Sequence, residues 1–173
     1  MIPDYISSVI KRWFDFPSKE TYCQVSTVMN CIPHIRTMRL YDINASGKLV
    51  LLTNTRTRKW TQVRNSPEVA LCFVNYDFGQ IVVEGEAVTK TIANDKNEIV
   101  TMWGKLLPYW QDYYLSQDTD QTFQRNEFKI PETFGQISVI PNLFVIVEIN
   151  KEDYLKSITH RFTRDINLEW KLN

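Results

Sequence analysis

Apolar and polar residues alternate along most of this chain, and the period changes at a few short segments. Tyr5 to Phe14 sets Ile6, Val9, Ile10 and Trp13 on one face at helical spacing, which predicts a short amphipathic helix ended by Pro17 and Ser18. Extended runs follow. Tyr22 to Met29 is the first, Ile35 to Tyr41 comes after a turn at Asn30-Cys31-Ile32-Pro33, and Lys48 to Thr53 comes after a turn at Asp42 to Gly47. Thr57 to Arg64 fits a two-turn helix stopped by Asn65-Ser66-Pro67. Val69 to Val74 and Gln80 to Val88 return to strand around the polar turn Asn75-Tyr76-Asp77. Asp95 followed by Glu98 is a capping-box-like start for a helix to about Leu106, and Pro108 opens another through Leu115. Ser116 to Arg125 is polar and reads as a loop. Gly135 to Ile140 and Leu143 to Ile149 are two further strands, and Arg161 to Arg164 pairs with Leu168 to Leu172.

Strands first, one short helix inserted after the third, and strands again at the end suit a mainly β (α+β) fold. The expected form is an antiparallel barrel of about six or more strands with peripheral helices. Alternating β-helix-β units are missing and no G-x-G-x-x-G occurs, so a dinucleotide-binding parallel sheet is excluded. No repeat, low-complexity tract or Pro/Gly-rich linker divides the 173 residues, which suit a single domain over 1–173.

Twenty basic side chains balance twenty acidic ones, so no overall field draws the chain onto nucleic acid or an anionic membrane. No segment has the apolar length of a membrane span, and the N-terminus lacks a signal-peptide pattern, which sets cytoplasm as the expected location. Cys23, Cys31 and Cys72 show no C-x-x-C spacing. Cys23 and Cys72 fall in apolar runs, where buried reduced thiols are expected, and no metal cluster forms with His34 or His160.

The informative stretch runs from Arg36 to Gly85. On the second strand, Arg36, Met38 and Leu40 point one way and Ile35, Thr37, Arg39 and Tyr41 the other, so at least one of the two arginines sits outside the apolar core. Thr53-Asn54-Thr55-Arg56-Thr57-Arg58-Lys59 then leads into a helix start. Free backbone N–H groups, a guanidinium fork and an ammonium meet there, and together they suit a phosphate; the same run also reads as a solvated basic turn.

Pro33-His-Ile-Arg-Thr-Met-Arg-Leu-Tyr41 resembles the P-x-x-R-x-V-L-L-K strand of the pyridoxamine 5'-phosphate oxidase-like, FMN-binding split-barrel family. Leu52-Thr53-Asn54, Arg58-Lys59 and Asn65-Ser66-Pro67 resemble its Y-T-N, S-R-K and N-x-P at matching spacing. Gly79-Gln80-Ile-Val-Val-Glu-Gly85 resembles R-Q-V-x-V-x-G, and His160-Arg161-Phe162 with Trp170-Lys171-Leu172 resembles D-R-F and W-K-I, one residue short. The match is continuous over about Cys23 to Thr89 and patchy beyond.

The resemblance implies a split barrel, FMN as cofactor, and a homodimer with the flavin at its interface. It implies that Arg36, Thr37, Met38 and Arg39 line the flavin along the second strand, and that Leu52 and Thr53 sit against it from the third. Arg58 and Lys59 hold the phosphate in this reading, Gln80 from the second subunit bonds the flavin, and Arg161 approaches from the C-terminal segment. The departures bear on substrate. Where the oxidases place Lys, Arg and His against their phosphorylated substrate, this chain has Tyr41, Ser157 and Thr159. The family's Q-S element has no secure counterpart between Ile92 and Phe134.

Trp103, Trp110 and Tyr114 recur at three-to-four-residue multiples, which predicts helix core over a stacking wall for a ligand, and Trp60 is expected to plug the core. His34 and His160 each precede a flavin-contacting strand in the resemblance, and both are expected as polar surface residues. The expected function is an FMN-dependent oxidoreductase acting on a small aromatic or heterocyclic substrate, with no side-chain triad and no metal. The alternatives are a flavin carrier or sensor without turnover, and a barrel of the same fold holding deazaflavin or haem.

Overall fold

The computed structural model describes residues 4–117, 130–165 and 169–173. Its elements are α1 (Asp4–Phe14), β1 (Thr21–Met29), β2 (Ile32–Ile43), β3 (Leu49–Asn54), α2 (Arg58–Asn65), β4 (Glu68–Asn75) and β5 (Gly79–Thr91). Then come α3 (Lys96–Gly104), α4 (Pro108–Ser116), β6 (Phe134–Glu148), a 3-10 turn (Tyr154–Lys156), β7 (Ile158–Arg164) and β8 (Trp170–Leu172).

The first hairpin is tighter than the sequence suggests. Only Asn30 and Cys31 form its turn, both with positive φ (52° and 61°), and Met29 pairs directly with Ile32. Two consecutive left-handed residues match the twist of the flanking strands, and this lets β2 begin at once. Pro33 is tolerated inside β2 because that half of the strand has β1 on one side and no paired strand on the other.

The strands run in the order β3-β2-β1-β4-β5-β6, and β6 pairs back onto β3, closing a six-stranded antiparallel barrel. β7 and β8 extend the sheet from β6. The strands expected over Gly135 to Ile140 and Leu143 to Ile149, broken near Pro141, are one. Glu84 pairs with Leu143 and Gly85 with Pro141, so Asn142 is an extra residue and the expected break is a bulge. The bulge lets one strand serve two partners, since residues 134–139 of β6 pair with β3 and 143–148 with β7. Gly85 is required there, because a Cβ would lie 2.2 Å from the Ile140 carbonyl oxygen. The expected β7–β8 pairing forms, with Leu168 outside the described residues, as is most of the expected 116–125 loop.

Two apolar clusters sit on either side of the barrel wall. The first fills the barrel and takes in Ile6, Val9, Ile10 and Trp13 of α1 with Trp60 and Val63 of α2. At one barrel end Trp13 stacks on Phe78 at 5.9 Å; at the other Trp60 lies so close to Gly135 that a Cβ there would be 2.7 Å away. Trp60 is therefore the core plug its sequence position suggests. The second cluster lies outside the barrel, where Ile99, Met102, Trp103 and Leu106 pack on Val50, Leu52 and Phe134. β3 is buried on both faces, which is why it reads as an unbroken apolar run.

Asp95 caps α3 by accepting the Glu98 N–H at 3.1 Å. Glu98 then reaches into a polar network, accepting from Lys48 at 3.0 Å, from Gln136 at 2.5 Å and from Lys90. This ties α3 to β3, β5 and β6 beside the helix layer. Cys23 is buried as expected, and burial pushes its thiol up to about 12. Cys72 departs from expectation. Its register places it opposite Gln24 on the outer face, where it is half-buried.

Candidate functional site

β2 and β3 pair from Ile43–Leu49 only as far as Leu40–Leu51, across a bulge at Tyr41. From there β2 stays with β1, while β3 follows β6 to the Asn54–Phe134 pair. The two strands part, and a cleft of about 630 Å³ opens in the split, a size suited to a cofactor or drug-sized ligand.

Thr37, Met38 and Arg39 line one side of the cleft and Leu52 and Thr53 the other. Lys59 enters from the first turn of α2. Six of the ten residues that the sequence singled out thus share one cavity. The connection from β3 to α2 is shaped by Asn54, whose side chain accepts the Arg56 N–H at 2.8 Å and whose carbonyl accepts the Thr57 hydroxyl at 2.7 Å. This turn puts Arg56 and Thr57 on the cleft and leaves Arg58 exposed outside it. Arg56 was in view in the sequence. A basic run alone does not say which of its cations a tight turn sets beside the cleft.

Arg36 stands behind the cleft wall. Its guanidinium donates to the Val25 carbonyl at 3.1 Å and to Gln62 Oε1 at 2.7 Å, and burial lowers its pKa. Lys59 is lowered too, first by burial and then by the Arg36 charge. No carboxylate among the described residues pairs with Arg36, Arg58 or Lys59.

The far wall is aromatic. Trp110, Tyr113 and Tyr114 of α4 line the cleft together with Tyr41, whose hydroxyl hydrogen-bonds that of Tyr114, and Trp110 and Tyr113 meet edge-to-face at 5.7 Å. The expectation of helix core holds for Trp103, which packs on Phe134 at 4.9 Å. It holds for the α4 rings too, since Tyr114 is buried in the second cluster and Trp110 packs against it. Tyr114 is core and wall at once, because α4 is the last layer over β3 and its inner face borders the split. Burial raises the hydroxyls of both Tyr41, to about 12, and Tyr114.

Arg39 stacks on the Tyr41 ring at 4.8 Å and lies 5.9 Å from the Trp110 ring. Its Nη1 donates to Glu20. Glu20 also accepts from the Tyr22 hydroxyl at 2.7 Å and the Tyr109 hydroxyl at 2.9 Å. Those hydroxyl bonds, Tyr22 first, hold the Glu20 carboxyl below its ordinary value.

Gln80 and Arg161 do not reach this cleft. Register places them on the barrel's outer face, Gln80 opposite Val147 and Arg161 opposite Val145. Thr159 shares that face, and Ser157 Oγ accepts the Asn150 N–H at 3.2 Å. His34 and His160 are both half-buried, and His160 meets the Tyr5 ring at 4.9 Å.

The whole fold is similar to that of a pyridoxamine 5'-phosphate oxidase-related, FMN-binding protein from Nostoc punctiforme (TM-score 0.78, 16% identity, 99% of this chain and 95% of that one). It is similar as well to PhzG from Burkholderia lata, solved with tetrahydrophenazine-1-carboxylic acid (TM-score 0.76, 15% identity, 100% and 96%). A protein from Clostridium acetobutylicum related to general stress protein 26 is more distant (TM-score 0.59, 16% identity, 88% and 93%). No curated protein sequence matches the chain. At these identities the likeness is one of fold, and the sequence itself carries the family. Residues 10–126 match the pyridoxamine 5'-phosphate oxidase family, and the chain belongs to that split-barrel family as a divergent member.

Proposed function

We propose that this protein binds FMN in the cleft and is an FMN-dependent oxidoreductase acting on a small aromatic or heterocyclic substrate. The observation that carries this reading is Lys59 beside Arg36, two cations drawn partly out of water with no described carboxylate between them. Like charges brought together in a partly desolvated place are costly until an anion joins them. A phosphate fits. Lys59 supplies a point charge and Thr53 and Thr57 supply hydroxyls, while the start of α2 offers N–H groups that no Thr57 side-chain cap engages. Arg36, held by Val25 and Gln62, acts as a fixed positive charge behind them.

Flavin supplies hydride or electron transfer when it is bound, and this chain's residues supply position. Met38 and Leu52 offer an apolar seat for a ring system, and the rings of α4 exclude water from the side opposite. Tyr41, with its hydroxyl pushed up to about 12 and hydrogen-bonded to Tyr114, stays protonated through the neutral range at the cleft wall.

The active unit in this reading is a two-fold homodimer. Thr37, Gln24, Cys72, Val82, Val145 and Arg161 form one row across six strands of the outer face. Thr37 borders the cleft, and Arg161 stands at the other end of the row. Within one chain neither Arg161 nor Gln80 lines the cleft. A second copy facing the half-buried apolar middle of the row brings its own Arg161 toward the first copy's cleft. The absorption spectrum of the purified protein tests the proposal. Visible flavin bands that bleach anaerobically with a nicotinamide donor support it, and a protein that takes up no flavin from added FMN contradicts it.

A further inference from the structure

Arg39 and Lys59, two of the cations that line the cleft, have separate surroundings. Lys59 faces Arg36, whereas Arg39 lies among Tyr41, Trp110 and the Glu20 carboxylate. Glu20 belongs to the link between α1 and β1. Its carboxylate takes a guanidinium N–H and two phenol hydroxyls, those of Tyr22 and Tyr109, from three different parts of the chain. A guanidinium with flanking hydroxyls on an aromatic wall is a carboxylate-binding arrangement. The internal carboxylate fills it only in part, because the enclosed Arg39 Nε has no hydrogen-bond partner. Nε and Nη2 can together offer a carboxylate two parallel bonds, and Glu20, held on Nη1, leaves that fork open.

We propose that Arg39, Tyr22 and Tyr109 form a carboxylate-recognition site at the aromatic end of the cleft, occupied here by the chain's own Glu20, and that its ligand is a planar aromatic carboxylate. The ring of such a ligand lies against Trp110 and Tyr113, and its carboxylate takes the open Arg39 fork in competition with the Glu20 charge. Glu20 is then an internal competitor that closes the empty cleft and sets how strong an incoming acid must be. This names a substrate class for the flavin enzyme proposed above, and it rests on that reading only in taking the bound acid to be a substrate.

The test is calorimetric titration of 1-naphthoate and neutral 1-naphthamide into FMN-treated protein, with flavin content measured separately by absorbance. Glu20→Ala and Glu20→Gln should bind naphthoate about tenfold tighter than the native chain, with naphthamide unchanged. Arg39→Lys, which keeps the charge and loses the fork, should weaken naphthoate about tenfold. If Glu20 merely fastens the chain, its removal brings equal or weaker naphthoate binding, and that result overturns the proposal. An equal gain for the amide overturns it as well. A Glu20-dependent gain in protein that retains no FMN upholds the carboxylate site while removing the flavin reading. Full FMN loading without the gain does the reverse.

Discussion

Arg36 on β2 and Lys59 on α2 set two positive charges against each other behind the split, and the guanidinium lowers an ammonium that burial has already lowered. The two elements are held there by unrelated contacts. Gln62 of α2 accepts from Arg36 and from the Thr27 hydroxyl, and Trp60 of the same helix is locked in the barrel core. The fold thus maintains a repulsion that a bound anion would relieve.

Pyridoxamine 5'-phosphate should be a poor substrate. The positions that grip its phosphate in the oxidases are Tyr41, Ser157 and Thr159 here, and Ser157 and Thr159 lie away from the cleft. Neutral hydroxyl contacts are about half as strong as charge-assisted ones. FMN-loaded protein under air should release hydrogen peroxide from this compound, or from its pyridoxine analogue, far more slowly than about 1 per second. Turnover at that rate or faster would mean that the clamp has been rebuilt elsewhere.

Assembly can be tested on the outer face. Light scattering should give about twice the 20.4 kDa chain mass. Val82, half-buried between Cys72 and Val145, is a position where Val82→Glu places a charge in the proposed interface. That variant should run as a folded monomer with weakened FMN binding. A native chain that is monomeric and still binds FMN tightly would remove the shared-site arrangement.

Acid should loosen the helix layer through Glu98. Burial alone would raise this carboxyl, but bonds from Lys90, Gln136 and Lys48 outweigh it and hold the pKa at about 2, against an ordinary value near 4.5. A carboxyl lowered on folding contributes stability that is complete above its unfolded value and is lost as pH falls through the folded one. The urea midpoint should therefore drop between about pH 5 and pH 2. In Glu98→Gln it should start lower at pH 7 and fall less steeply over that interval. Parallel curves for the two proteins would show that the network does not titrate as described.

Much of this was legible because barrel strands alternate. The periods of β1, β2, β4 and β5 separate Cys23, Met38, Leu71 and Ile81 inside from Gln24, Thr37, Cys72 and Gln80 outside. Asp95 and Pro108 marked their helix starts correctly, since capping and N1 chemistry are local. The continuity of β6 was not legible, because Pro141 and Asn142 look alike whether they end a strand or bulge within it. Of the residues that the family resemblance named, Thr37, Met38, Arg39, Leu52, Thr53 and Lys59 share the cleft. Two features depend on tertiary contacts that no local pattern encodes. One is the turn that exchanges Arg56 for Arg58 at the cleft. The other is the meeting of α4 with the split, which makes Trp110 and Tyr113 a wall.

The phosphate grip is measured most directly by titrating FMN and riboflavin into the native chain and into Lys59→Met. A charge-assisted bond is worth about 1.5–3 kcal/mol, so FMN should bind the variant roughly ten- to a hundredfold more weakly. Riboflavin, which lacks the phosphate, should bind both proteins alike, and Arg58→Ala should weaken FMN less than Lys59→Met. Equal FMN affinity in the native chain and Lys59→Met, or an equal loss for riboflavin, would contradict a phosphate site at the split.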